Sequence, residues 1–130
     1  AMGADKTLNS CDADAITAAA GSFDFIITTV NVRLDWNLYL NTLKPKGRLH
    51  FVGAVLEPLN IGAFSLIMGQ RSVSGSPVGA PNTIKEMFEF SKLHAIQPEV
   101  ELFPMSEINV AIEHLEAGKA KYRIVLSNEA

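Results

Sequence analysis

The stretch Gly47 to Val55, GRLHFVGAV, constrains the fold more than any other part of the chain. Leu49, Phe51 and Val52 make a run too apolar and too continuous for a half-solvated antiparallel strand. It suits a strand buried on both faces of a parallel sheet. Lys44-Pro45-Lys46 before it reads as a turn, and Gly53, set among small residues, closes it. In open parallel sheets ligands sit outside the carboxyl ends of the strands, which makes Gly53-Ala54 the first place to look for function.

The flanking segments supply partners for that strand. Phe23 to Val30, FDFIITTV, is rich in β-branched residues and reads as a second strand ending at Asn31. Between the two, Asp35 is an N-cap candidate, and Trp36, Leu40 and Leu43 at i, i+4 and i+7 form one apolar helix face. Strand, helix and strand in roughly thirty residues make a βαβ unit, whose crossover is right-handed. Upstream, Lys6 to Ser10 reads as a short strand, and Asp12 caps an alanine-rich helix over Ala13 to Ala20 that Gly21 stops. Cys11 at this junction reads as a small, half-buried filler. Ala1 to Asp5 resembles the end of a helix with Gly3 just past its last turn, as though the chain were cut from a longer protein.

Downstream, Ala63 to Met68 reads as a helical turn and Arg71 to Ser76 as a third parallel strand, with Gly75 and Gly79 permitting close approach of a backbone or a ligand. Thr83-Ile84-Lys85-Glu86 has the form of a capping box, opening a helix to about His94 with Ile84, Met87, Phe88 and Leu93 buried. Pro98 to Phe103 alternates like an exposed strand. Ser106 then caps a helix carrying Ile108, Ala111, Ile112 and Leu115, Gly118 closes it, and Tyr122 to Leu126 is a last strand. The predicted class is α/β: a parallel sheet followed by a strand-helix-strand tail.

Composition narrows the functions. Eleven basic and fourteen acidic residues are interspersed, with a net charge of -3, and the basic clusters Lys44/Lys46 and Lys119/Lys121/Arg123 are too small to recruit nucleic acid. One cysteine leaves no internal disulfide and fits a reducing compartment. No apolar run approaches the ~20 residues that span a bilayer. A cytoplasmic protein is the default reading. His50, His94 and His114 show no metal-ligand spacing, and His50 reads as a satisfied core histidine. Glu57, Glu99 and Glu101 read as residues that keep surfaces wet. No G-x-S-x-G, Walker or G-x-G-x-x-G pattern is present. What converges is a set of strand ends: Thr29-Val30-Asn31, Val52-Gly53-Ala54-Val55 and Gly75-Ser76-Pro77-Val78. On neighbouring parallel strands they form a shelf of small residues and free backbone groups suited to a flat polar ring. The alternative is that small residues simply finish strands.

FDFIITTVN, LKPKGRLHFVGA, GSPVG and KYRIVL, in this order and spacing, resemble the C-terminal portion of the zinc-containing medium-chain alcohol dehydrogenases, in particular their cinnamyl alcohol dehydrogenase-like branch. The resemblance runs from about Gly3 to Leu126. It implies the second half of a Rossmann-type NADP(H) domain over residues 1–97 and a segment, 98–130, that packs on a catalytic domain. By match, Thr29, Val30 and Asn31 lie beside the cofactor ribose and nicotinamide. Val52, Gly53 and Ala54 lie under the nicotinamide ring, the backbone of Ser76, Pro77 and Val78 meets its carboxamide, and Arg123 lies near the pyrophosphate. The resemblance also implies an alcohol or aldehyde substrate, and a homodimer through the Arg71 to Ser76 strand or the exposed Phe23 to Val30 edge. The family's zinc ligands and glycine-rich turn match nothing in this chain, so no metal or catalytic residue is assigned and the chain alone is expected to be inactive. The strand pair also resembles part of the Rossmann-like methyltransferases, and a non-catalytic dimerising module is the third reading. A helix after GSPVG, where methyltransferases place a hairpin, disfavours the former.

Overall fold

A computed structural model describes residues 3–128, which fall into two compact units divided between Val78 and Gly79. The proposed helix end at Ala1–Asp5 lies partly outside the described residues; Gly3 adopts a left-handed φ of 82°.

The first unit opens with irregular chain rather than a strand at Lys6 to Ser10: Leu8 and Ser10 line a hollow of about 310 Å3 beside Phe23 and Phe25, but the segment joins no sheet. A strand is a hydrogen-bonded pair, and no described strand stands beside this one to complete it. Helix α1 (Ala13–Ala18) starts where Asp12 accepts the Ala15 N–H at 2.9 Å, a cap worth about 1 kcal/mol. Cys11 is exposed, not half-buried.

Strands β1 (Phe23–Thr28), β2 (Leu43–Phe51) and β3 (Ser72–Gly75) form one parallel sheet in the order β1-β2-β3. Helix α2 (Trp36–Thr42), capped by the Asp35 carboxylate, makes the β1-to-β2 crossover, and α3 (Ala63–Ile67) lies between β2 and β3. Trp36, Leu40, Leu43 and Leu49 are buried together, with Ile26, Val30, Leu34, Phe51, Ile61, Leu66 and Val73 packed around them. Trp36 and Leu40 of the expected helix face thus meet the central strand, whereas Leu43, expected one turn further along the helix, is extended and opens β2 itself. Each of the three fully buried leucines contributes about 1.5–3 kcal/mol.

Three expectations need correction here. Lys44 to Gly47 is not a turn before β2 but a bulge within it, because register jumps from Phe23↔Leu43 to Phe25↔Arg48. Pro45 has no N–H for the ladder, Lys46 takes a φ of 66°, and the Lys46 N–H goes to the Gly69 carbonyl at 2.8 Å. Second, β1 stops at Thr28, two residues short of Val30. Third, Val52 is exposed, since β2 has ended at Phe51.

In the second unit, α4 (Pro81–Leu93) starts on proline rather than on a capping box: Ala80 is the N-cap and Thr83 lies inside the first turn. Pro fits the first helical position because its missing N–H would have no partner there. Ile84, Met87, Phe88 and Leu93 are exposed rather than buried, because no other described element covers that face of the helix. Strands β4 (Val100–Pro104) and β5 (Arg123–Ser127) pair in parallel, joined through a 3-10 turn (Met105–Glu107) and helix α5 (Ile108–Glu116). Ser106 falls in that 3-10 turn, so Glu107 takes the N-cap position. Ala111 is buried, whereas Ile108, Ile112 and Leu115 are exposed. Tyr122 has a φ of 73°, and the last strand begins one residue later than expected.

Glu101 does more than wet a surface. Its carboxylate accepts the Lys121 N–H at 2.7 Å and meets His114 Nε2 at 2.7 Å, joining β4, α5 and the approach to β5. The Lys121 N–H, followed by His114, holds its pKa below the ordinary 4.5. A carboxylate depressed in the folded state adds stability above its unfolded pKa and loses it as pH falls through the folded value. The expected result is amide exchange at Lys121 that accelerates as pH drops below about 4.5, corrected for intrinsic exchange. In Glu101→Gln that acceleration is lost; an unchanged pH dependence would sink the assignment.

Candidate functional site: a shelf at the strand ends

Register places Thr28 opposite Phe51 and Phe51 opposite Gly75, one row across the carboxyl ends of three parallel strands. The segments that leave this row are those the sequence singles out. Val52 and Gly53 both send their N–H groups to the Thr28 carbonyl, at 3.0 and 3.2 Å, and the Ser76 N–H reaches the Phe51 carbonyl at 3.1 Å. One more step of ladder is thus completed before the chain opens to solvent.

Gly53 explains how closely these ends approach. A Cβ there would lie 2.5 Å from the carbonyl carbon and oxygen of Thr29 and would also meet the Val30 carbonyl oxygen. Only a residue without a side chain lets the β1 and β2 ends touch backbone to backbone. Thr29, Asn31, Val52, Ala54, Ser76, Pro77 and Val78 are exposed around it, and Val30 is half-buried against the core.

Two hollows flank the shelf. One, of about 410 Å3, is lined by Arg33, Asp35, Trp36, Val55 and Glu57 among others. The other, of about 270 Å3, runs along Thr28, Thr29 and Val30 to Trp36. The first is shaped by Asn37, which donates from Nδ2 to the Asn60 carbonyl at 2.7 Å and accepts the Gly62 N–H at 2.9 Å. Sequence reading missed Asn37, because two bonds to residues more than twenty positions away leave no periodic signal. Arg33 and Glu57 form an exposed ion pair at 3.7 Å, which adds little stability.

His50 is satisfied at both ring nitrogens, Nδ1 with Ser74 Oγ at 2.9 Å and Nε2 with Ser76 Oγ at 3.0 Å. These partners, one on β3 and one just past its end, could not be named before the register was known. Arg123 is the exposed first residue of β5, in the second unit. Among the described residues no group of three or more His, Cys, Asp or Glu could hold a metal ion. This donor set does not fit a zinc centre. What the shelf presents is exposed backbone and small side chains, which can hold a flat ring with amide groups. No helix among the described residues is long and apolar enough to cross a membrane.

Comparison with known proteins accords with this geometry. The family model of the zinc-binding dehydrogenases matches residues 1–92. An aldehyde reductase, AdhA, from Synechocystis sp. is 58% identical over 127 residues, covering 98% of this chain and 38% of that protein. A probable cinnamyl alcohol dehydrogenase of Arabidopsis thaliana is 38% identical over 125 residues, covering 96% of this chain and 34% of its own length. Among solved structures, cinnamyl alcohol dehydrogenase from Sorghum bicolor superposes with a TM-score of 0.87 at 37% identity, over 95% of this chain and 35% of that one. The cinnamyl alcohol dehydrogenase of Helicobacter pylori, solved with NADP(H), gives 0.67 at 37% identity over 80% of this chain and 31% of that one. The chain thus spans little more than a third of the relatives it matches. By sequence and by the parallel sheet that carries the shelf, this chain belongs to the zinc-binding dehydrogenase family.

Proposed function

We propose that this chain supplies the nicotinamide-binding part of an NADP(H)-dependent alcohol dehydrogenase or aldehyde reductase. The observation that carries the reading is the register row Thr28–Phe51–Gly75, beyond which three exposed segments leave the same edge of one sheet. In this reading Thr29, Val30 and Asn31 flank the ribose and nicotinamide, and Val52, Gly53 and Ala54 underlie the ring. The backbone of Ser76, Pro77 and Val78 meets the carboxamide, and Arg123 serves the pyrophosphate. The cofactor, when bound, supplies the hydride exchanged with an alcohol or aldehyde. The chain's own task is to hold the ring flat and keep one face toward substrate. Residues 1–97 act as cofactor domain, and 98–130 pack on a catalytic domain. Zinc ligands belong to sequence other than this, and no step is assigned to zinc here.

The same reading includes a cytoplasmic location and a homodimer. Both β1 and β3 are outer strands of the three-stranded sheet among the described residues, and Phe23, Phe25 and Ile27 are exposed on β1. Unpaired edges of this kind invite a second copy. Sedimentation at twice the 14.1 kDa of the chain is the expected result for the chain alone.

The test is an NMR titration of the protein at its natural length with NADPH. Amide shifts are expected at Thr29–Asn31, Val52–Ala54 and Ser76–Val78, with quenching of the buried Trp36. Equal titration with S-adenosylmethionine is expected to move none of them. If NADPH leaves all three segments unmoved, the reading fails; a purely dimerising module predicts that outcome.

A further inference from the structure

On the β2–β3 seam, Ser72 and Ser74 of β3 and Ser76 just beyond its end alternate along the chain, and each meets a basic side chain of β2. Arg48 Nε donates to Ser72 Oγ at 3.4 Å, whereas His50 serves both Ser74 and Ser76. Arg48 bonds its own register partner. His50 bonds its own partner, Ser74, and also reaches past the end of the ladder to Ser76. A half-buried site of this size on a strand would be filled as well by leucine. What an imidazole adds is two polar corners on a rigid ring, one a donor and one an acceptor when neutral. Ser74 holds one corner, and Phe25 stacks on the ring at 6.0 Å with 28° between planes, so the corner facing Ser76 is fixed in direction.

Ser76 is where such a brace has a consequence. Ladder pairing ends at Gly75, and Pro77 follows with no N–H to offer. Ser76 is held by its N–H on the Phe51 carbonyl and by its hydroxyl on His50. One bond alone is a hinge; two from different atoms of the same residue define an orientation. The geometry points to His50 as a positioning residue that sets how the Ser76–Val78 backbone leaves the sheet, and therefore how it meets the cofactor carboxamide. This rests on the cofactor reading above.

The test compares His50→Leu, His50→Gln and Ser76→Ala with wild type, in the protein at its natural length. The leucine variant is expected to raise the NADPH Kd and KM about tenfold, equivalent to ~1.4 kcal/mol, with kcat at saturating cofactor nearly unchanged. Glutamine keeps a donor and an acceptor and is expected to restore Kd to within about threefold. Amide exchange at Ser76 and Val78 should rise in the leucine variant and recover in the glutamine one. A folded leucine variant that binds NADPH like wild type overturns the inference, as does a glutamine variant no better than leucine. If the leucine variant fails to fold, Ser76→Ala decides: weaker NADPH binding supports the brace, and unchanged binding overturns it. Failure of the cofactor reading looks different, because wild type itself would then not bind NADPH.

Discussion

Gly53→Ala forces the ends of β1 and β2 apart. The added methyl would sit 2.5 Å from Thr29 backbone atoms and against the Val30 carbonyl oxygen, and neither can rotate away as a side chain could. Overpacking a well-filled site costs about 1–3 kcal/mol and occasionally more. With backbone as the obstacle, the expected loss is about 3 kcal/mol, at the top of that range. A drop in melting temperature of roughly 10 °C follows for a chain of this length. Cofactor binding should fall further than stability explains, because the displaced groups are those proposed to underlie and flank the nicotinamide. Gly62→Ala is the control: its nearest obstacle, Asn37 Oδ1, is 3.5 Å away, an ordinary contact. Thermal unfolding and NADPH titration of the two variants would separate them. A Gly53→Ala protein that melts with wild type refutes the close approach of the strand ends.

The second large effect lies in the core. Leu49 is fully buried in the middle of β2, against Trp36, Leu40 and Leu43. Leu49→Ala removes its transfer free energy and leaves a cavity that paired strands on both sides keep from collapsing, for an expected loss of about 2–5 kcal/mol. Against a total stability of about 5–15 kcal/mol, that can leave the sheet largely unfolded at 37 °C. Leu56→Ala, at a site 94% exposed, should change stability by less than about 0.5 kcal/mol. Urea unfolding followed by Trp36 fluorescence measures both, since Trp36 reports on this core. Equal midpoints for the two variants would contradict the packing described.

These two residues also mark what could be read from sequence and what could not. Leu49 was legible because a run of apolar residues places at least one side chain on a core, and that signal is local; the expected cover on both faces of the strand was not found, since Arg48 is exposed and so are Phe25 and Ile27 beside it on β1. The Asp12 and Asp35 caps were legible for the same reason: a carboxylate reaches an N–H two or three residues ahead. The capping box at Thr83 failed because Pro81 offers a competing helix start two residues earlier, and proline at the first position wins without a side-chain cap. Lys6 to Ser10 failed because strand propensity is only permission to pair. The expected burial of Ile84, Met87, Phe88 and Leu93 failed because an apolar stripe states a need for cover without supplying it.

Sequence by itself determined the βαβ periodicity, the helix starts at Asp12 and Asp35, the apolar face of α2 and the kinship carried by four short motifs. These depend on spacing along the chain, where bond geometry sets the distances. Tertiary structure alone decided that Thr28, Phe51 and Gly75 share a row, that His50 bridges two serines, that Asn37 holds a loop and that Glu101 ties three segments together. Each of these joins residues from thirteen to about two dozen positions apart through strand register or packing. A one-residue slip of a strand would turn its side chains to the opposite face and undo the register-dependent ones, so their partners exist only once the sheet has formed.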